Sequence, residues 1–229
     1  MRIVSLVPSL TEAVAVSAPG LLVGATAWCT HPPDLDVRRV AGTKNPDVAA
    51  VIALAPDLVL ANEEENRPAD VAELRAAGLE VDVTDIRTLD EAFVELRRVL
   101  GRLGVVAPWL AEAEEVWATP YAGVRRTAVI PIWRRPWMAV GSDTFAGDVL
   151  ARLGIDNVLA SSPERYPRFS PDDLPPHDLV VLPDEPYAFS PDDGPEAFEA
   201  VSRCVSGRHL TWYGPSLVEA RALLTAQLA

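Results

Sequence analysis

The chain has 229 residues, 49% hydrophobic and 23% charged, with a formal net charge of −13. That is enough to bury a core in one large domain or two small lobes. The acidic balance argues against binding nucleic acid or an anionic membrane surface, no apolar run is long enough for membrane insertion, and Cys29 and Cys204 are too few for a disulfide framework.

Ile3 to Val7 is a short apolar run stopped by Pro8, which reads as a buried strand. Ser9-Leu-Thr-Glu12 has capping-box spacing and predicts a helix from Leu10 to about Pro19-Gly20. A strand over Leu22–Ala27 then empties into the proline-marked loop Trp28–Pro33. Asn45-Pro46 predicts a capped helix to about Leu54, followed by a strand over Leu58–Ala61. Pro68 opens a helix closed by Gly78, and Glu80–Thr84 is a further strand.

A second capping box, Thr88-Leu-Asp-Glu91, starts a helix to about Leu103, and Pro108–Ala118 is another. No strand signal occurs between Thr88 and Arg126, so this stretch reads as the junction of two domains. Strands near Thr127–Ile132 and Leu179–Leu182 follow, with helices near Ser142–Leu153, Pro195–Cys204 and Pro215–Gln227.

The halves repeat one plan: a strand, a capped helix, then an Asp-Leu-Val strand running into an acidic loop. The expected fold is α/β, with parallel sheets in two lobes, residues 1–87 and 121–229, joined by a helical linker over 88–120. A duplicated unit of this kind predicts a ligand cleft between the lobes.

Aromatic side chains gather where strands end. Trp28, Trp133, Trp137, Tyr166, Tyr187, Trp212 and Tyr213 could line a pocket for a large, flat, partly polar ligand, or pack the core. In Trp133-Arg-Arg-Pro-Trp137, Arg134 offers a guanidinium to a ligand carboxylate or phosphate. Ser9 and Asn62 offer hydrogen bonds. Metal ligation has only Cys29 and His31 as candidates, two residues apart with no third ligand near, so no metal site is expected. Nucleophile elbow, P-loop, dinucleotide fingerprint and zinc motif are all missing, and no enzyme is expected.

Arg2-Ile-Val-Ser-Leu-Val-Pro-Ser-Leu-Thr-Glu12, the Trp28–Pro33 loop, Leu54-Ala-Pro-Asp-Leu-Val-Leu60 and Val71–Val81 resemble the helical-backbone metal receptors. These are the class III substrate-binding proteins for cobalamin, ferric siderophores and haem, and the likeness is nearest to the cobalamin-binding branch. After Pro120 it rests on Ser142–Gly154, the Tyr166-Pro167 loop and Leu210–Tyr213. The resemblance implies two Rossmann-like lobes, a small metal chelate as ligand and no covalent cofactor.

Three departures stand against the importer role. The linking helix looks short, and Asn62 stands where a tryptophan flanks the corrin ring. Pro68 falls where an acid on the first lobe would dock a permease, although Glu64 and Glu65 lie nearby and Asp172 falls near the second position. Met1 also lies directly before the first strand, without a leader. The sequence therefore points to a cytoplasmic carrier or sensor of a cobalamin-like corrinoid or related chelate. Two alternatives are carried. One is the substrate-binding component of an ABC importer for cobalamin, ferric siderophore or haem, exported and partnered with a permease. The other is an enzyme of tetrapyrrole or metal handling, with Glu64 and Glu185 as its acid–base pair.

Overall fold

A computed structural model describes Met1–Ala229. By density of contacts the chain divides into two units. One comprises Met1–Ile86, Glu91–Ala111 and Tyr213–Pro215; the other comprises Arg87–Asp90, Glu112–Trp212 and Ser216–Ala229. Each is an α/β lobe built on a parallel sheet.

The first lobe runs β1 (Ile3–Ser5), α1 (Pro8–Ser17), β2 (Leu22–Ala25), β3 (Arg38–Arg39), α2 (Val48–Ala53), β4 (Leu58–Asn62), α3 (Pro68–Ala76) and β5 (Val81–Thr84). Its five strands lie in the order β3-β2-β1-β4-β5, and every pairing is parallel. Ile3 pairs with both Leu22 and Leu58, which makes β1 the central strand. Val4, Val59 and Ala61 of the sheet, with Leu6 just beyond β1, pack with Val51 and Leu74 of the helices, all buried.

Helix α1 departs from the expected capping box. Pro8 is its first residue and Val7 its extended flank, so Ser9 lies inside the first turn instead of capping it. Proline there needs no amide partner, and Thr11 returns its hydroxyl to the Val7 carbonyl at 2.8 Å. Helix α2 likewise is capped two residues beyond the expected Asn45, because Asp47 Oδ1 accepts from the Ala50 amide at 2.9 Å.

Two helices follow, α4 (Leu89–Arg102) and α5 (Pro108–Ala118). In α4, Leu89, Ala92, Phe93, Leu96 and Leu100 are buried, the spacing of one helical face. The division between the units falls inside α5. Its Trp109 indole donates to Ser17 of the first lobe at 2.8 Å, and its Trp117 indole donates to the Leu217 carbonyl of the second at 2.9 Å. No helix is long and apolar enough to cross a membrane.

The second lobe contains β6 (Arg126–Val129), β7 (Pro131–Arg134), β8 (Trp137–Ala139), α6 (Phe145–Arg152), β9 (Ile155–Asn157), β10 (Leu179–Pro183), β11 (Val201–Val205), α7 (Gly207–Thr211) and α8 (Leu217–Leu228). Its main sheet is parallel with order β11-β10-β6-β9, and β7–β8 is a separate antiparallel hairpin. Thr144 caps α6 by accepting from the Gly147 amide at 3.3 Å. The helix expected over Pro195–Cys204 is instead a 3-10 turn at Pro195–Ala197 followed by strand β11, whose five residues all pair with β10.

Candidate ligand-binding site

In parallel α/β sheets, ligands bind beyond the carboxyl ends of the strands. In the first lobe β2 ends in Thr26-Ala-Trp-Cys29. Trp28 is 66% exposed, although the turn around it is fixed. The Cys29 amide donates to the Thr26 carbonyl at 3.2 Å, and Ala27 N–H donates to Ala41 at 2.7 Å. Arg39 reaches over from β3: one terminal nitrogen donates to Thr26 O (3.2 Å) and Cys29 O (2.9 Å), the other to Leu35 O (3.1 Å). The Cys29 thiol is buried and lies 3.0 Å from the Thr11 hydroxyl and 3.2 Å from the Thr26 hydroxyl. Burial pushes that thiol above its ordinary value. His31 Nδ1 lies 3.1 Å from the hydroxyl of its neighbour Thr30, and no group of three metal-ligating side chains forms anywhere.

Strand β4 ends in a network of two buried asparagines. Asn62 donates to Thr84 O and Oγ1 at 3.0 and 3.1 Å, and its Oδ1 accepts from the amides of Glu64 and Glu65. Asn66 Oδ1 accepts from Asn62 N at 2.9 Å while its amide donates to Thr43 O at 3.0 Å. The polar atoms of Asn62 thus shape the acidic loop Glu63–Glu65. Lys44 donates to the Glu64 carbonyl, and burial pushes the Glu65 carboxyl up against the opposing pull of Lys44. Ser9 and Tyr213 are both buried, at 4% and 6% exposure. Gly214 is held close to the first, because a Cβ there would lie 3.2 Å from Ser9 O.

In the second lobe the hairpin β7–β8 carries Trp133, Arg134 and Trp137. Trp137 lies among phenylalanines, stacked at 4° on Phe189 and edge-on to Phe198 at 5.2 Å, next to buried Val129, Val180 and Leu182. Trp133 stands 43% exposed, edge-on to Tyr187 at 5.7 Å. The Tyr187 hydroxyl donates to Asp193 at 2.7 Å. Arg134 forms ion pairs with Asp193 and Glu196, and its guanidinium lies 5.5 Å from the Trp137 ring centroid. Tyr166 is half-buried in a loop whose Arg165 carbonyl accepts from Gly141 N at 2.7 Å. Trp212 is 7% exposed beside Arg208.

The acidic end of β10 is structural in part: Asp184 Oδ1 accepts from Gly207 N at 2.6 Å. Only glycine fits there, since a Cβ would come 2.8 Å from the Glu185 amide. His209, 8% exposed, meets Ser206 Oγ at 2.7 Å through Nδ1 and Glu219 at 2.9 Å through Nε2. Its bond to Glu219 holds that carboxyl below its ordinary range. Arg39, Asn66, Asp193 and His209 are the residues that sequence reasoning missed. Each acts through partners that only the fold brings near.

No family model matches the chain. It is 24% identical over 184 residues to the vitamin B12-binding protein of Pectobacterium carotovorum, covering 74% of this chain and 65% of that protein. A vitamin B12-binding protein of Vibrio cholerae is 35% identical over 92 residues, covering 39% and 33%. The chain therefore matches less than two thirds of the length of these relatives. Among solved structures, the periplasmic vitamin B12-binding protein of Vibrio cholerae superimposes with a TM-score of 0.76 at 19% identity, covering 99% of this chain and 96% of that one. A periplasmic haem-binding protein from Pseudomonas aeruginosa gives 0.76 at 23%, covering 98% and 91%. The chain shares the two-lobed α/β fold of these periplasmic binding proteins, as the resemblance implied. The sequence relatives given above are proteins named for binding vitamin B12.

Proposed function

We propose that this chain is the substrate-binding component of an importer for a cobalamin-like metal chelate. The observation that carries this reading is the sequence likeness to vitamin B12-binding proteins along 74% of the chain. The importer alternative is favoured over a cytoplasmic carrier or sensor, because the solved proteins that share the fold are periplasmic. In this reading residues 1–87 and 121–229 are the binding lobes, linked by 88–120. Trp28 and Trp133 supply exposed stacking surface, supported by Tyr166, Tyr187, Trp212, Tyr213 and Ser9. A second reading, haem as ligand, draws on the haem-binding proteins that share the fold.

The test is a fluorescence titration of the purified chain with cyanocobalamin, hemin and a ferric siderophore. Saturable tryptophan quenching by cyanocobalamin at lower concentration than by hemin is expected, and preference for hemin would favour the second reading. Replacing Trp133 by alanine should weaken binding by about 1–3 kcal/mol, the scale of burying one large apolar side chain. Fractionation of cells expressing the native gene tests export, and recovery in the cytoplasm alone would return the carrier reading. Stimulation of a reconstituted permease's ATPase tests the partner.

A further inference from the structure

Of the six tryptophans, only Trp28 and Trp133 are exposed, at 66% and 43%. Trp28 stands on the loop after β2 and Trp133 on strand β7 near the end of a two-stranded hairpin, and a large exposed ring in such places would ordinarily sample many positions. Neither segment is left to do so, and in each an arginine makes the connections. Arg39 gathers the carbonyls of Thr26, Cys29 and Leu35, so the residues on both sides of Trp28 hang from one guanidinium. Its planar fork suits this task, because three donor contacts are fixed by a single side-chain orientation. The Thr11–Cys29–Thr26 contacts fasten the same turn from its buried side.

In the second lobe the connection has one more link. Arg134 pairs with Asp193 and Glu196, Asp193 accepts from Tyr187, and the Tyr187 ring meets Trp133 edge-on. Arg134 also sits on the hairpin next to Trp133 and opposite Trp137, whose ring is packed among phenylalanines. Strand, loop and indole are thereby tied to the lobe's core.

We propose that Arg39 and Arg134 are positioning residues that hold Trp28 and Trp133 as preformed stacking surfaces for a planar ligand, neither arginine being itself a ligand contact. The inference rests on the ligand-binding reading above and adds its physical basis: a ring fixed beforehand loses little freedom when it stacks.

The experiment uses the full chain with Arg39→Ala, Arg39→Gln, Trp28→Phe, Trp28→Ala and the double variant Trp28→Ala with Arg39→Ala. Two readouts are taken. The first is time-resolved fluorescence anisotropy without ligand, with the Trp28 contribution obtained as the difference from Trp28→Phe. The second is the dissociation constant for cyanocobalamin. Arg39→Ala should release fast local motion of Trp28 and weaken binding about 3- to 10-fold, the scale of ordering one side chain anew. In the Trp28→Ala background the arginine change should cost nothing further. Arg39→Gln, which keeps a donor, covers the case in which the alanine variant does not fold, and should lie between the two. The same set at Trp133 and Arg134 should behave alike.

Unchanged Trp28 motion in a folded Arg39 variant would overturn the proposal. So would a binding loss equally large with and without Trp28, which would make the arginine a contact or a general fold element. If cyanocobalamin does not bind but the indole is released, the ligand reading fails and the positioning role stands.

Discussion

Asp82 sits at the edge of the first sheet with a side chain only 6% exposed, facing Arg98 and Arg102. Burial works against its charge, yet two Arg98 hydrogen bonds of 2.7 and 2.8 Å and the Arg102 contact hold its carboxyl below the ordinary range. A depressed folded-state value means stability that is complete above the unfolded carboxylate pKa, about 3.9, and lost as pH falls through the folded value. Asp82→Asn should therefore cost about 1–2 kcal/mol at pH 7, a figure kept low because Arg98 is 42% exposed and rehydrates. Urea midpoints of the two proteins should draw together as pH falls below the unfolded carboxylate value and on through the folded one. The cysteines give a second check. Cys29 is fully buried and Cys204 half-buried, and burial raises both thiols, with the Asp184 charge adding to Cys204. At pH 8 the native protein should show one slow thiol towards Ellman's reagent, the other emerging only on unfolding. At this scale the sequence exposed the aromatic residues, since strand ends are readable. It hid their supports: Arg39 finds carbonyls 10 and 13 residues away, and Asn62 finds Thr84, 22 residues on.

Short elements in this chain depend on their ends. Helix α2 has six residues, too few to persist without help, and Asp47 supplies its cap. Asp47→Ala should lower stability by about 1 kcal/mol. Asn45→Ala, at the position the sequence favoured, should change it by less than about 0.5 kcal/mol. Urea melts of the two variants distinguish the caps directly. Central strands and helix α3 were legible because burial and Pro68 mark them in one dimension, whereas Pro8 reads as the stop of a strand and is in fact the first residue of α1. β11 was not: Pro195–Ala200, just before it, is rich in alanine and glutamate, and a short run joined to Val201–Val205 suits either state. Five consecutive pairings with β10 decide it. β3, two residues long, carries no signal of its own, yet it delivers Arg39 to the Trp28 turn.

Taken whole, the chain does not finish one lobe before beginning the next. The first unit contains Tyr213–Pro215, and both segments flanking that tripeptide belong to the second. Gly214 is fitted so closely to Ser9 that Gly214→Val should lower the urea midpoint, whereas the same change at open Gly101 should act only through helix propensity, about 1 kcal/mol or less. A fragment ending at Pro120 should accordingly unfold less cooperatively than the first lobe does in the full chain, as followed by circular dichroism. The consequence reaches back to biosynthesis. While a ribosome is still making residue 200, the first lobe has its whole sheet but lacks the tripeptide that packs at Ser9. It must wait, incomplete, until Tyr213–Pro215 has been made, long after its last strand.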